Sequence, residues 1–168
     1  MKIPKNKAIL IVVVPENYHK SIIEISKELQ DEKTCYVTIN KGFEALIDDF
    51  KKNKINSENF IVIDCVTKTI VNTKPEKNCI FISSPNALTE LSLAIGKNIN
   101  NGALHFIIDS LSNMLIYYDN ETISKFVQDL IQKVRKKNKT LVLIISSKDK
   151  KSKLFDEIET LVDNTMEV

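Results

Sequence analysis

The sequence predicts a three-layer α/β domain: a mostly parallel central sheet flanked by helices. Three observations carry this expectation. Six short apolar runs punctuate the chain with little polar alternation, as in strands buried on both faces of a helix-covered parallel sheet. Between several of the runs, apolar residues recur at helical spacing, so the connections read as amphipathic crossover helices. The 168 residues are 43% hydrophobic, enough for one ordinary core, and a single domain over residues 1–168 is expected.

The elements follow in order. Ala8 to Val14 reads as the first strand, halted at Pro15, and Asn17 stands where it can cap a helix starting near Tyr18. Cys35 to Ile39 is the next strand, followed by a helical stripe of Phe43, Leu46, Ile47 and Phe50. Phe60 to Asp64 leads into a surface excursion over Thr67 to Asn78, marked by Lys68, Lys74, Pro75, Glu76 and Lys77. Cys79 to Ile82 and Leu104 to Asp109 are strands on either side of the stripe Leu88, Leu91, Ile95 and Ile99. Ile123, Phe126, Val127, Leu130, Ile131 and Val134 mark a long helix before the last run, Leu141 to Ser146.

Composition excludes several classes. With a net charge of +2, the chain has no general pull toward nucleic acid or membrane, so such binding would need a local patch. The three cysteines, Cys35, Cys65 and Cys79, form no C-x-x-C pair and sit in or beside apparent strands. They read as buried reduced thiols rather than a zinc site or disulfide framework. No apolar run approaches the roughly 18 residues of a membrane span, and Met1 to Asn6 lacks a signal-peptide core. A cytoplasmic protein without a membrane partner is expected.

The stretch that carries chemistry is His105-Phe106-Ile107-Ile108-Asp109-Ser110-Leu111-Ser112. An apolar strand ending in an aspartate and hydroxyls reads as a Walker B strand, whose carboxylate in P-loop ATPases holds the hydration shell of Mg²⁺ beside the phosphates. The matching phosphate loop, G-x-x-x-x-G-K-[ST], has a counterpart in spacing only, Val14-Pro15-Glu16-Asn17-Tyr18-His19-Lys20-Ser21. Both glycines are missing. Val14 is β-branched and His19 places an imidazole where the backbone must approach a phosphate, so the cradle of main-chain N–H groups is not expected to form. Lys20 and Ser21 then have two readings: first-turn residues of a helix, or, with Asp109, the remnant of a site for ATP and Mg²⁺. Asp109 likewise reads either as a cap on the following turn or as a metal or nucleotide contact, and Asp64 has the same pair of readings. His105 reads as a packed or edge histidine and His19 as an exposed one. Neither belongs to a recognisable nucleophile motif, and no metal site is predicted.

On these residues and several others the chain resembles the RecA-like core of KaiC and its archaeal relatives. Asp109 to Ser112 matches the family's D-S-L-S, and Tyr117-Tyr118-Asp119 with Glu121 to Phe126 matches the tyrosine segment and long helix after it. Leu141 to Ile145 is similar to the strand that this helix feeds. Thr34 to Thr38 resembles the second strand, Phe43 to Ile47 the helix that follows, and Leu154 to Val168 the closing helix and short strand. The resemblance runs from Ile9 to Val168 and implies the RecA-like fold with KaiC-like strand order.

The departures form a set. The paired acidic residues that activate water in ATP-hydrolysing relatives are Asn40-Lys41 here, and the base-seating stretch before the phosphate loop is reduced to Met1 to Lys7. Arg135 is the lone arginine, so a phosphate-clamping finger has few candidates. The resemblance with these losses implies a degenerate pseudo-ATPase without catalytic residues or cofactor, acting as a regulatory or scaffold protein through a protein partner or self-association. Two alternatives stand beside it. One is a residual nucleotide-binding ATPase using Lys20, Ser21 and Asp109; the other is a recombinase-like accessory binding nucleic acid through Lys148, Lys150, Lys151 and Lys153. That lysine segment has no aromatic residue on which to stack a base. For a partner surface, the run Leu115 to Tyr118 is expected to bury Leu115 and Ile116 and to offer Tyr117 or Tyr118.

Overall fold

The computed structural model describes residues 1–168. Strands β1 (Ala8–Val13), β2 (Thr34–Thr38), β3 (Phe60–Asp64), β4 (Cys79–Phe81), β5 (His105–Asp109), β6 (Thr140–Ser146) and β7 (Asn164–Glu167) form one sheet in the order β4-β3-β2-β5-β6-β1-β7. Every pairing is parallel. The helices are α1 (Tyr18–Leu29), α2 (Phe43–Lys52), α3 (Leu88–Asn100), the single turn α4 (Leu111–Met114), α5 (Asn120–Lys136) and α6 (Lys153–Leu161). This is the expected three-layer α/β architecture.

Alternation along each strand divides the apolar residues between two cores. Leu10 and Val12 of β1, Val37 of β2, and Phe106 and Ile108 of β5 join α3, α4, α5 and α6 on one face. Ile9, Ile11 and Val13, with Tyr36 and Ile107, join α1 and α2 on the other. Continuous apolar runs were therefore the right signature, since both faces of the inner strands are buried. The stripe of α5 (Ile123, Phe126, Val127, Leu130, Ile131 and Val134) is buried as its spacing predicts.

Three local expectations are corrected. Val14 lies beyond β1 and is exposed, because the ladder to β6 ends at Val13 paired with Ser146. Asn17 makes no side-chain cap on α1; a 3-10 turn over Pro15–Asn17 runs directly into the helix and satisfies the backbone there. Ile116 is 71% exposed, since α4 ends before it and the chain turns outward. Of the two readings of His105, packed or at an edge, the packed one holds, because the residue opens an interior strand. The excursion over Thr67 to Asn78 holds one 3-10 turn, Thr67–Thr69, and no other helix or strand. No helix is long and apolar enough to cross a membrane.

Candidate functional site

Three strand ends build the candidate site. In the sheet, Thr38 at the end of β2 pairs with Asp64 on one side and Asp109 on the other, so two buried carboxylates flank one threonine at the C-terminal edge. Open parallel α/β sheets carry ligands at that edge. The two carboxylates are held differently.

Asp109 is 4% exposed and accepts hydrogen bonds from two phenols. Tyr18, the first residue of α1, donates to Oδ1, and Tyr36 of β2 donates to Oδ2. Burial raises the Asp109 carboxyl above the usual aspartate range, and the two phenol bonds pull against it. The same burial, with the carboxylate alongside, pushes both phenols well above their ordinary value. Asp109 therefore does not cap the following turn. Ser110 does, its Oγ accepting from the Asn113 N–H at 3.3 Å and donating to Asn113 Oδ1 at 2.6 Å. Ser112 is spent on the fold as well, its Oγ accepting from the Ser146 N–H at 2.8 Å.

Asp64 is the cap that its position allowed. It accepts from the N–H groups of Val66 (2.7 Å), Thr67 (2.8 Å) and Phe43 (2.7 Å), and from Thr67 Oγ1 at 2.5 Å. Gly42 permits this convergence: a Cβ there would lie 2.6 Å from Thr67 Oγ1.

The cleft over Asp109 is closed at its rim. Lys41 pairs with Asp49 of α2, and His19 Nδ1 lies 3.8 Å from the same carboxylate. The Lys41 ammonium holds the Asp49 carboxyl below its usual range. The remaining cavity has a volume of about 70 Å³, against roughly 300–1,000 Å³ for sites that enclose small ligands. Lys20 points to solvent, its Nζ 3.9 Å from Glu24, and neither it nor the buried Ser21 lines the cleft. The candidate trio Lys20, Ser21 and Asp109 is not brought together around this cleft; each Asp109 oxygen accepts from a phenol, and no glycine loop stands beside it.

The other candidates are dispersed. Lys150 pairs with Glu167, and Lys153 lies 3.4 Å from Glu157; Lys148 and Lys151 are exposed and carry no ion pair. Arg135 is bound to the end of α6 and the link to β7, through the Leu161 carbonyl (2.9 Å) and Asp163 (3.0 Å). Tyr118 is half-buried and donates to the Pro85 carbonyl at 2.6 Å, whereas Tyr117 is exposed. No three His, Cys, Asp or Glu side chains group as a metal site would require. Tyr18 and Tyr36 were the residues that sequence reasoning missed. A tyrosine inside an interior strand demands a partner for its hydroxyl, which was the available signal for Tyr36.

Strand order, two helical layers and an aspartate closing β5 define a RecA-like α/β fold. By sequence the chain belongs to DUF7504, a family of unknown function, whose model matches residues 29–168. Among solved structures it is similar to the KaiC-like protein PH0186 from the hyperthermophilic archaeon Pyrococcus horikoshii OT3, with a TM-score of 0.66 and 15% identity over 98% of this chain and 73% of that one. At that identity the likeness concerns the fold. No curated protein matches the chain.

Proposed function

We propose that this chain is a degenerate RecA-like domain without catalytic activity, acting through protein association as a regulatory or scaffold subunit. One observation carries the reading: the aspartate at the Walker B position is stoppered by Tyr18 and Tyr36, and Tyr18 comes from the very segment that has lost its phosphate-loop glycines. A phosphate-bound Mg²⁺ would have to displace both phenols and open a cleft sealed by the Lys41–Asp49 pair. The exposed Ile116 and Tyr117, side by side beyond α4, are the apolar surface offered for association.

Calorimetric titration with MgATP tests the catalytic half of this reading, and no saturable heat is expected at millimolar nucleotide. Mg²⁺-dependent binding abolished by Asp109→Asn or Lys20→Ala would overturn it in favour of a residual ATPase. Sedimentation of the Ile116→Ser/Tyr117→Ser variant tests the associative half. Weakened self-association or partner binding at an unchanged melting temperature is the expected result, and unaltered association would remove this surface from consideration.

A further inference from the structure

At the opposite edge of the sheet, strands β2, β5 and β6 begin with a polar row, Thr34, His105 and Thr140, paired side by side. The N-terminal residues cross this row. The Asn6 N–H donates to Thr140 Oγ1 at 2.9 Å, the Lys7 carbonyl accepts from the Leu141 N–H at 2.9 Å, and Ile3 is buried in the core formed with α1 and α2. Beyond His105, Lys5 Nζ donates to Glu32 Oε2 at 2.7 Å. That same oxygen lies 2.7 Å from His105 Nε2. A single carboxylate thus ties the N-terminal segment to a histidine that is only 3% exposed.

The other ring nitrogen, His105 Nδ1, is buried without any hydrogen-bond partner. Because a carboxylate only accepts, Nε2 carries the hydrogen of the neutral ring and Nδ1 is a bare lone pair. Protonation would place an N–H on Nδ1 with no acceptor to receive it. The charged groups facing the ring are Glu32, which favours the cation, and Lys5 and Lys139, which oppose it. Burial is the largest influence, and it holds the imidazole below the ordinary histidine range.

We propose that residues Met1–Lys7 form an acid-released strap, with His105 as the group that senses the proton. Closed, the strap spans from Thr140 to Glu32 and keeps water from Nδ1. Open, it admits water to serve a new N–H. The open form therefore binds more protons, and opening is favoured as pH falls below the ordinary histidine value.

Amide hydrogen exchange followed by NMR between pH 7.5 and 5, expressed as protection factors to remove the intrinsic pH dependence, tests this in the intact chain. Protection of the Asn6 amide is expected to fall with the same midpoint as the His105 imidazole, while the Leu10 amide in β1 stays protected. The loss should reach roughly tenfold for each pH unit by which that midpoint lies below that of a peptide histidine. His105→Gln keeps a donor for Glu32 but does not titrate, and its Asn6 protection should be flat. Persistent pH dependence in that variant would overturn the proposal, as would Asn6 protection that is unchanged or increases through the His105 midpoint. Should His105→Gln fail to fold, the coincidence or mismatch of the two wild-type midpoints decides alone.

Discussion

Asp64 and Asp109 end strands on either side of β2, share Thr38 as a register partner, and are both buried. Asp64 is served mainly by the backbone: three main-chain N–H groups and one hydroxyl converge on it from the loop after β3 and from the start of α2. Asp109 is served by two phenols on long side chains. Main-chain donors are fixed wherever the loop is fixed, so the Asp64 clamp and the Gly42–Thr67 contact are one structure. Phenol donors are removable one at a time without redrawing the backbone. The difference separates a carboxylate clamped by the backbone of two loops from one whose hydrogen bonds come from distant side chains.

The largest expected effect comes from breaking the first of these. Asp64→Ala strands the N–H groups of Val66, Thr67 and Phe43 along with the Thr67 hydroxyl. Unserved buried donors make this a loss of about 3–5 kcal/mol in urea denaturation. A loss below about 1 kcal/mol would mean that the loop finds other acceptors, and the fold-building role would fail. Tyr36→Phe is intermediate. It removes one donor from a buried carboxylate whose other donor is Tyr18, and a hydrogen bond to a charged group is worth about 1.5–3 kcal/mol. The Asp109 carboxyl should also rise further, because the lost bond was lowering it. A neutral result at pH 7 would show that the phenol is not what serves Asp109.

The contrast between these carboxylates was half legible in the sequence. Strand ends at Asp64 and Asp109 followed from apolar runs that stop at an acid, and the sheet order was implied by the family resemblance. The sequence left both aspartates with the same two readings, because local spacing cannot say which distant groups arrive. Tyr18 and Tyr36 reach Asp109 only once α1 and β2 are placed against β5, a tertiary fact with no short-range signature. The cap expected at Asp109 moved by one residue to Ser110, whose hydroxyl is free to bond within its own turn while the carboxylate faces the other way. Ile116 was misjudged for a related reason: its apolar neighbours Leu115 and Tyr118 pack on the core, and a run of apolar residues in a loop does not reveal which members turn outward. The tie between His105 and Glu32 also lay beyond sequence reach, since the two meet only where the turn before β2 passes the start of β5.

Asp109→Asn has the smallest expected effect and sharpens the comparison most. The amide oxygen still accepts from one phenol, and the amide N–H₂ can donate to the other phenol oxygen. What is lost is the charge in two hydrogen bonds; what is gained is relief from burying that charge. Because these terms oppose, the variant should lie within about 1 kcal/mol of wild type at pH 7. Their balance shows in the pH dependence. The folded Asp109 carboxyl sits above its unfolded value, so the folded state holds this proton more tightly. The stability that it contributes is full below about pH 4, the ordinary aspartate value, and is lost as pH rises through the folded value. Subtracting wild-type from variant stability cancels the other carboxylates, and the difference should move in favour of Asp109→Asn as pH rises from about 4 toward neutrality. The opposite slope would place the two phenol bonds ahead of burial, and Asp109 would then be an anion that its neighbours were built to hold.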